Sequence, residues 1–392
     1  MFDTLLARGE HLAEVQAQRA VLRFLNGVDW LIRDPRQVVG RTPYDVVWQR
    51  DKLEVRRYRH ADAAIRPRHA VPVLCVPPLM VKPFIFDLFP ARSLVRYLVE
   101  HGFDVYLVDF GEPDAADSLV TLDDYVLDWL PAACRAVRAA SGQRELSLLG
   151  YCMGGLFGLM YLGVTADRGV RNLVTISAPL DVSKMGAFAW MAKTAGAQVD
   201  FLSRRIGNVP GGLSSAVFRL LTPAKNVTRY ADLFMNLWDR EYVNGFDAMN
   251  QWIGQFIDYP QGAFLQFVHD FVQRNALVRG KMRFGGKTAD LRRVRANLLA
   301  FAGRSDQIAP AAAVQVQIDA VGSTDVSFRL ASGGHMGVFA GHSAPAQVWR
   351  PTVEWLATRS AARPHRVRAA AAPAPARRGT RGAGRGRRPA RH

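Results

Sequence analysis

Three residues far apart in the chain have the types and settings of a nucleophile, a base and an acid. Cys152 stands in Gly150-Tyr151-Cys152-Met153-Gly154-Gly155, after an apolar strand-like run and before an apolar helix-like one. A glycine-flanked cysteine between strand and helix has the form of a nucleophile elbow, with Cys where G-x-S-x-G has Ser. The glycines let strand and helix approach closely around a strained turn. That turn lifts the thiol to the end of the strand and over the helix N-terminus, which favours a thiolate and an adjacent oxyanion. The bland alternative is a structural cysteine buried in a Gly-rich turn, and the elbow pattern argues against it.

An elbow of this kind belongs to an architecture that orders its residues nucleophile, acid, His, with the acid after a late strand and the His after the last one. Asp306 lies in Gly303-Arg304-Ser305-Asp306, after the run NLLAFAG (297–303), and His335 in Gly333-Gly334-His335-Met336-Gly337, after DVSFRL (325–330). His335 would take the Cys152 proton, and Asp306 would fix its tautomer and stabilise the imidazolium. The oxyanion needs two N–H donors. Met153, next after the nucleophile, supplies one. The loop Pro78-Leu79-Met80-Val81-Lys82 supplies the other, with Val81 the expected donor.

The other candidates are weaker. Cys75 sits in an apolar strand and Cys134 on a helix with apolar spacing, so both read as core. Asp109 ends a strand but precedes Cys152, which is the wrong order for the acid. His11, His60, His69, His101, His365 and His392 lie in polar or terminal contexts. His269 falls in an inserted region, and His342 at the start of the last helix.

The elements that must position these groups alternate. VPVLCV (71–76) is a strand, 91–102 a helix, FDVYLVDF (103–110) a strand and 123–140 a helix. ELSLLG (145–150) is a strand, 154–165 a helix and RNLVTISAP (171–179) a strand. Strands alternating with such helices predict a mostly parallel sheet with right-handed crossovers. The rhythm stops at Leu180 and resumes near 296, with a strand at 297–303, a helix near 310–320, a strand at 325–330, a Gly-rich loop at 332–337 and a helix at 344–358. The expected organisation is therefore an N-terminal leader helix and hairpin (1–70), an α/β core in two parts (71–179 and 296–358), a helical cap or lid (180–295) and a basic tail (359–392).

Composition limits the function classes. The chain has 392 residues, 49% hydrophobic, with 33 Gly and 21 Pro, which excludes fibrous and mainly disordered proteins. Three cysteines without a CxxC pair argue for a reducing compartment and against disulfide staples or structural zinc. Residues 359–392 carry 11 arginines and no Lys, Asp or Glu; removing these from the net charge of +17 leaves +6 for the body. The body suits an anionic ligand. The tail reads as disordered and solubilising, with contact to nucleic acid, anionic lipid or an acidic partner left open. The stretch 146–166 is uncharged but holds five glycines, so strand, tight turn and buried helix explain it better than a membrane span does. The N-terminus reads as an amphipathic helix rather than a signal peptide.

At this point the sequence resembles the polyhydroxyalkanoate synthases, from about residue 40 to 358. The resemblance is carried by PPLMVKPFIFDLFPARSLVRYLVEHGFDVYLVDFGEPD (77–114), TLDDY (121–125), LLGYCMGG (148–155), NLVTISAPLD (172–181), GNVPGG (207–212), HDFVQRNALVRG (269–280), GRSDQIAP (303–310) and GGHMGVF (333–339). Dienelactone hydrolases share Gly-Tyr-Cys-x-Gly-Gly, but the ordered set is specific to the synthases. The resemblance implies an α/β-hydrolase fold with a helical cap between late strands, and a cytoplasmic acyltransferase that polymerises 3-hydroxyacyl-CoA at the surface of polyester granules. Cys152, Asp306 and His335 match the family's triad, and CoA thioester is the substrate, with no cofactor. The short leader looks like the small-subunit kind, which implies a second, non-catalytic subunit and a possible homo-oligomer. Two positions depart from the pattern: Gln307 stands where the family usually has His, and Val81 where it usually has Asn. The rival readings are a thiol hydrolase of the dienelactone-hydrolase sort, against which the 154 residues between Cys152 and Asp306 argue, and a non-catalytic granule-associated relative.

Overall fold

In this computed structural model the central sheet runs, edge to edge, β1 (Tyr44–Arg50), β2 (Leu53–Tyr58), β4 (Val105–Asp109), β3 (Val73–Val76), β5 (Leu146–Tyr151), β6 (Val170–Ile176), β9 (Asn297–Gly303) and β10 (Val326–Ala331). The described residues are 2–32, 39–62, 64–186, 189, 205, 207–220 and 223–360. The tail from 361 onward and most of 187–206 lie outside them. The core strands are β3 (Val73–Val76), β4 (Val105–Asp109), β5 (Leu146–Tyr151), β6 (Val170–Ile176), β9 (Asn297–Gly303) and β10 (Val326–Ala331). All their pairings with one another are parallel. Four of these strands, β3 to β6, are buried along almost their whole length. That is why they read as continuous apolar runs: a parallel strand is covered on both faces.

Alternation along the strands sends side chains to two cores. Leu74, Val76, Leu146, Leu148 and Leu173 face one core, with α3 (Leu130–Ser141) and α4 (Met153–Thr165). Val73, Cys75, Leu149, Val174 and Ile176 face the other, with α2 (Leu94–Glu100) and the last helix, Arg350–Thr358. Cys75 and Cys134 are fully buried, one in each core.

The leader is more integrated than its sequence suggests. The hairpin of β1 (Tyr44–Arg50) and β2 (Leu53–Tyr58) does form, but β2 pairs antiparallel with β4 and extends the central sheet. The first helix, α1 (Phe2–Ile32), lies on the inserted segment: Asn26 Nδ2 donates to the Leu237 carbonyl and Trp30 Nε1 to Asp247, both at 2.7 Å. The segment between β6 and β9 holds α5 (Gly211–Leu220), α6 (Pro223–Asn236), α7 (Arg240–Gly254), α8 (Gln261–Gln266) and a two-stranded ribbon, Arg283–Phe284 with Lys287–Thr288, that the sequence did not announce. The described residues form one compact unit, so the core and the described part of the inserted segment belong together.

The chain runs from β3 outward to β4, then returns past β3 to β5 and on to β6. The connections leaving β3 and β5 therefore diverge. A crevice at the carboxyl ends of two such strands is where open α/β sheets bind ligands. Among the described residues, no helix is long and apolar enough to cross a membrane.

Candidate active site

The end of β5 forces the first feature. Cys152 has φ 52° and ψ −119°, a left-handed conformation that a side chain adopts only under constraint. The constraint is the packing of α4 against the sheet. A Cβ on Gly150 would come within 2.4 Å of the Gly154 and Gly155 backbone, and one on Gly154 within 2.0 Å of the Val76 carbonyl oxygen. Only glycine permits both approaches. Gly154→Ala is therefore expected to lower stability by about 3 kcal/mol or more, because both sides of the clash are backbone. Gly212→Ala, with nothing within 4 Å of the new Cβ, should cost nothing or stabilise helix α5. Urea midpoints of the two variants make the comparison.

Asp306 follows β9 and is buried, with its side chain wholly enclosed. Its Oδ1 accepts the Ile308 N–H at 3.0 Å and the Ala309 N–H at 2.8 Å. Its Oδ2 accepts the Ser177 hydroxyl at 2.8 Å and His335 Nδ1 at 2.9 Å. A carboxylate only accepts, so the His335 proton on this side is on Nδ1 and Nε2 is left as the free base.

His335 opens a short helix, His335–Ala340, so the Gly-rich loop is shorter than the sequence suggests and ends at Gly334. The Tyr151 hydroxyl donates to the His335 carbonyl at 3.1 Å, and the Tyr151 ring stacks on Phe339 at 4.3 Å. The imidazole is buried, bonded to Asp306, and close enough to Cys152 for the two side chains to interact. Burial works against its charged form, but Cys152 and Asp306 outweigh burial and raise its pKa to about 10. Burial instead raises the thiol pKa of Cys75 far above its usual range and that of Cys134 to about 12, so both stay protonated.

Met153 is the first residue of α4, so its N–H has no acceptor within the helix. Val81 is buried in the loop after β3, next to Met80, whose φ is 59°. That loop is tied to the inserted segment: Ile257 N–H donates to the Met80 carbonyl at 3.0 Å and Trp252 Nε1 to the Lys82 carbonyl at 2.9 Å. Gln307 is exposed.

Asp109 is not part of this cluster; it pairs with Arg56 at 2.5 Å. His269 bonds Gln273 within the inserted segment, and His342 meets Arg92. Three further residues surround the site without a motif in the sequence to mark them. Ser177, directly after β6, holds Asp306, and its strand-end position was the available signal. Phe218 of α5 sits edge-on to His335 with ring centres 6.5 Å apart. Tyr259, buried, reaches Met153 Sδ at 3.5 Å. Nothing local marks the last two, because they come from the inserted segment. Cys152 itself is half-buried.

Sheet order, elbow and strand-end groups together define an α/β hydrolase. A family model described as "alpha/beta hydrolase fold" matches residues 83–341, and one described as "Poly-beta-hydroxybutyrate polymerase (PhaC) N-terminus" matches 36–98. Two solved structures share the fold: a soluble variant of monoglyceride lipase from Saccharomyces cerevisiae (TM-score 0.51, 13% identity, 84% of this chain and 99% of that one) and a putative lipase from Sulfolobus solfataricus (TM-score 0.50, 15% identity, 82% and 98%). The chain is 32% identical to the poly(3-hydroxyalkanoate) polymerase subunit PhaC of Allochromatium vinosum, over 84% of this chain and 92% of that protein. It is 30% identical to that of Synechocystis, over 86% and 90%. The identity to the PhaC subunit of Haloferax mediterranei is 35%, over 82% of this chain, which spans 65% of that longer relative. The chain belongs to the poly(3-hydroxyalkanoate) polymerase family.

Proposed function

We propose that this chain polymerises 3-hydroxyacyl groups from CoA thioesters into polyester, carrying acyl groups as a thioester on Cys152. The observation that supports this most is the buried Asp306–His335 pair, with the half-buried Cys152 close enough to interact with the imidazole. His335 takes the thiol proton, and the Cys152 sulfur attacks the thioester carbonyl. The negative charge that develops on the carbonyl oxygen is met by the N–H groups of Met153 and Val81. The C–S bond to CoA breaks, and the CoA thiolate leaves with the proton from His335.

For chain growth, His335 takes the proton of a 3-hydroxyl. The hydroxyl oxygen attacks the thioester of another acyl group, a C–O bond forms as a C–S bond breaks, and the released thiolate takes the proton back. Thioester-to-thioester transfer is close to isoenergetic, so the enzyme stays charged and needs no cofactor. Water competes with the hydroxyl, and the inserted segment, with Phe218 over His335, limits its access. A CoA substrate places the reaction in the cytoplasm, at the surface of its own insoluble product. Exposed apolar residues on α1 and the inserted helices, among them Phe24, Leu31, Ile32, Leu220 and Phe234, support contact with that product, a second subunit or another copy of the chain.

The test is purified protein with 3-hydroxybutyryl-CoA, following CoA release and product size together. CoA release with high-mass polyester is the expected result. CoA release with free acid only would replace this reading with a thiol hydrolase. No CoA release would leave a non-catalytic relative.

A further inference from the structure

Six non-glycine residues among those described have a positive φ: Asp51, Met80, Cys152, Ala166, Ser177 and Asn275. Three of them have local reasons. Asp51 turns the β1–β2 hairpin, Ala166 ends α4, and Asn275 is of a type that tolerates the left-handed region. The other three follow the carboxyl ends of β3, β5 and β6, around the active site. Met80 stands in the loop of the expected oxyanion donor, and Cys152 forms the elbow. The third is Ser177, with φ 50°. Glycine takes this conformation without strain, so a serine held there points to work done by its hydroxyl.

Ser177 is wholly buried. Its N–H donates to the Phe301 carbonyl of β9 at 2.8 Å, and the carbonyl of Ile176, one residue earlier, accepts the Cys152 N–H at 2.8 Å. Because β6 lies between β5 and β9, Ser177 stands between the strand that ends at the nucleophile and the strand that leads to the acid. Its hydroxyl donates to Asp306 Oδ2 at 2.8 Å, the oxygen that also accepts His335 Nδ1 at 2.9 Å. The Ile308 and Ala309 N–H groups pin the other oxygen, Oδ1. Ser177 and His335 thus share one end of the carboxylate.

We propose that Ser177 is a positioning residue of the acyl-transfer site, whose hydroxyl fixes the plane of the Asp306 carboxylate and moderates its pull on the His335 proton, a role that rests on His335 acting as the base. Without the hydroxyl, Oδ2 keeps the imidazole as its one partner. The carboxylate, still pinned at Oδ1, turns toward the ring, and the bond to Nδ1 tightens. Nε2 is drawn away from Cys152, and the imidazolium is favoured over the neutral imidazole that must take the thiol proton. The titration of His335 therefore moves to higher pH, opposite to the effect of removing the Asp306 charge. The titratable groups that face the ring are Cys152 at the elbow, Asp306 after β9 and Tyr151 of β5, whose phenol burial keeps protonated. Phe218 of the inserted segment carries no charge.

Two variants remove the hydroxyl and differ in strain. Ser177→Ala keeps a side chain at φ 50°, and Ser177→Gly relieves it. In both, kcat for CoA release should fall about tenfold or more, the size of one hydrogen bond to a charged group, with KM unchanged because the buried serine does not meet substrate. The thermal midpoint of Ser177→Gly should be at least as high as that of Ser177→Ala, so a kcat loss common to both is not a loss of fold. A second readout needs no turnover: NMR titration of His335, with isotope-labelled histidine, in Cys152→Ala and in Cys152→Ala/Ser177→Gly. The midpoint should be higher in the double variant. An unmoved or lower midpoint overturns the proposal, as does parent-like kcat in both single variants. A kcat loss in Ser177→Ala that Ser177→Gly restores also overturns it, since strain and not the hydroxyl would then be the cause. Should the parent release free acid only, or no CoA, the polymerisation reading fails while the titration still decides the role of Ser177.

Discussion

Cys152→Ala is expected to lower acyl transfer by about 10⁴-fold or more, because the atom that carries the intermediate is gone. Cys75→Ala and Cys134→Ala should keep the parent rate and lose stability only, roughly 1 kcal/mol each. The contrast rests on environment. All three are thiols, but two sit in closed apolar cores where burial keeps them protonated. Cys152 sits at a helix N-terminus, half-buried, beside the His335 imidazole. Alkylation checks this independently of turnover: brief iodoacetamide treatment of the native protein should label Cys152 alone, as read by peptide mass. Near-parent turnover by Cys152→Ala, or equal labelling of all three cysteines, would falsify the assignment.

Asp306→Asn should slow acyl transfer by about 10⁴-fold while leaving the fold intact. The direction follows from the hydrogen bonds. The Ile308 and Ala309 N–H groups both donate to Oδ1, so the asparagine carbonyl oxygen is drawn to that side. Its NH₂ then takes the Oδ2 position, facing His335 Nδ1. The imidazole must accept there and carry its proton on Nε2, where it can no longer take one from Cys152. The pH profile gives a second readout. Burial lowers the His335 pKa and the Asp306 charge helps to raise it, so removing that charge lowers it. Residual activity of Asp306→Asn should therefore have its limbs at lower pH than the parent. A loss smaller than about tenfold, with an unmoved profile, would show that another group orients His335.

Much of the core was legible because its signals are local. A parallel strand covered on both faces must be a short apolar run, so β3 to β6 and β9 stand out by composition. The elbow is legible because two backbones cannot pass at Gly150 and Gly154 unless both lack a Cβ. Chain order then singled out Asp306 and His335, since each directly follows a strand of the same parallel sheet and so emerges at the same edge as Cys152. The π-type turns at Asp124–Trp129, Phe267–Gln273 and Pro345–Trp349 leave no such mark, because their side-chain pattern is that of ordinary helix.

Backbone sterics and burial act on neighbouring residues, so the strands of the central sheet, the elbow and the groups at the strand ends are readable in the chain, while the short ribbon of the inserted segment is not. Tertiary structure alone decided which distant pieces meet. The β1–β2 hairpin was readable as a hairpin, but its pairing with β4 depends on which edge the sheet leaves free. Helix α1 was readable as amphipathic, but its seat against Leu237 and Asp247 depends on where the inserted helices fold. Phe218 beside His335 likewise depends on where the inserted helices fold. A contact across two hundred residues leaves no period in the chain; it forms because closing that loop buries surface or pairs a polar group that no nearer partner can satisfy.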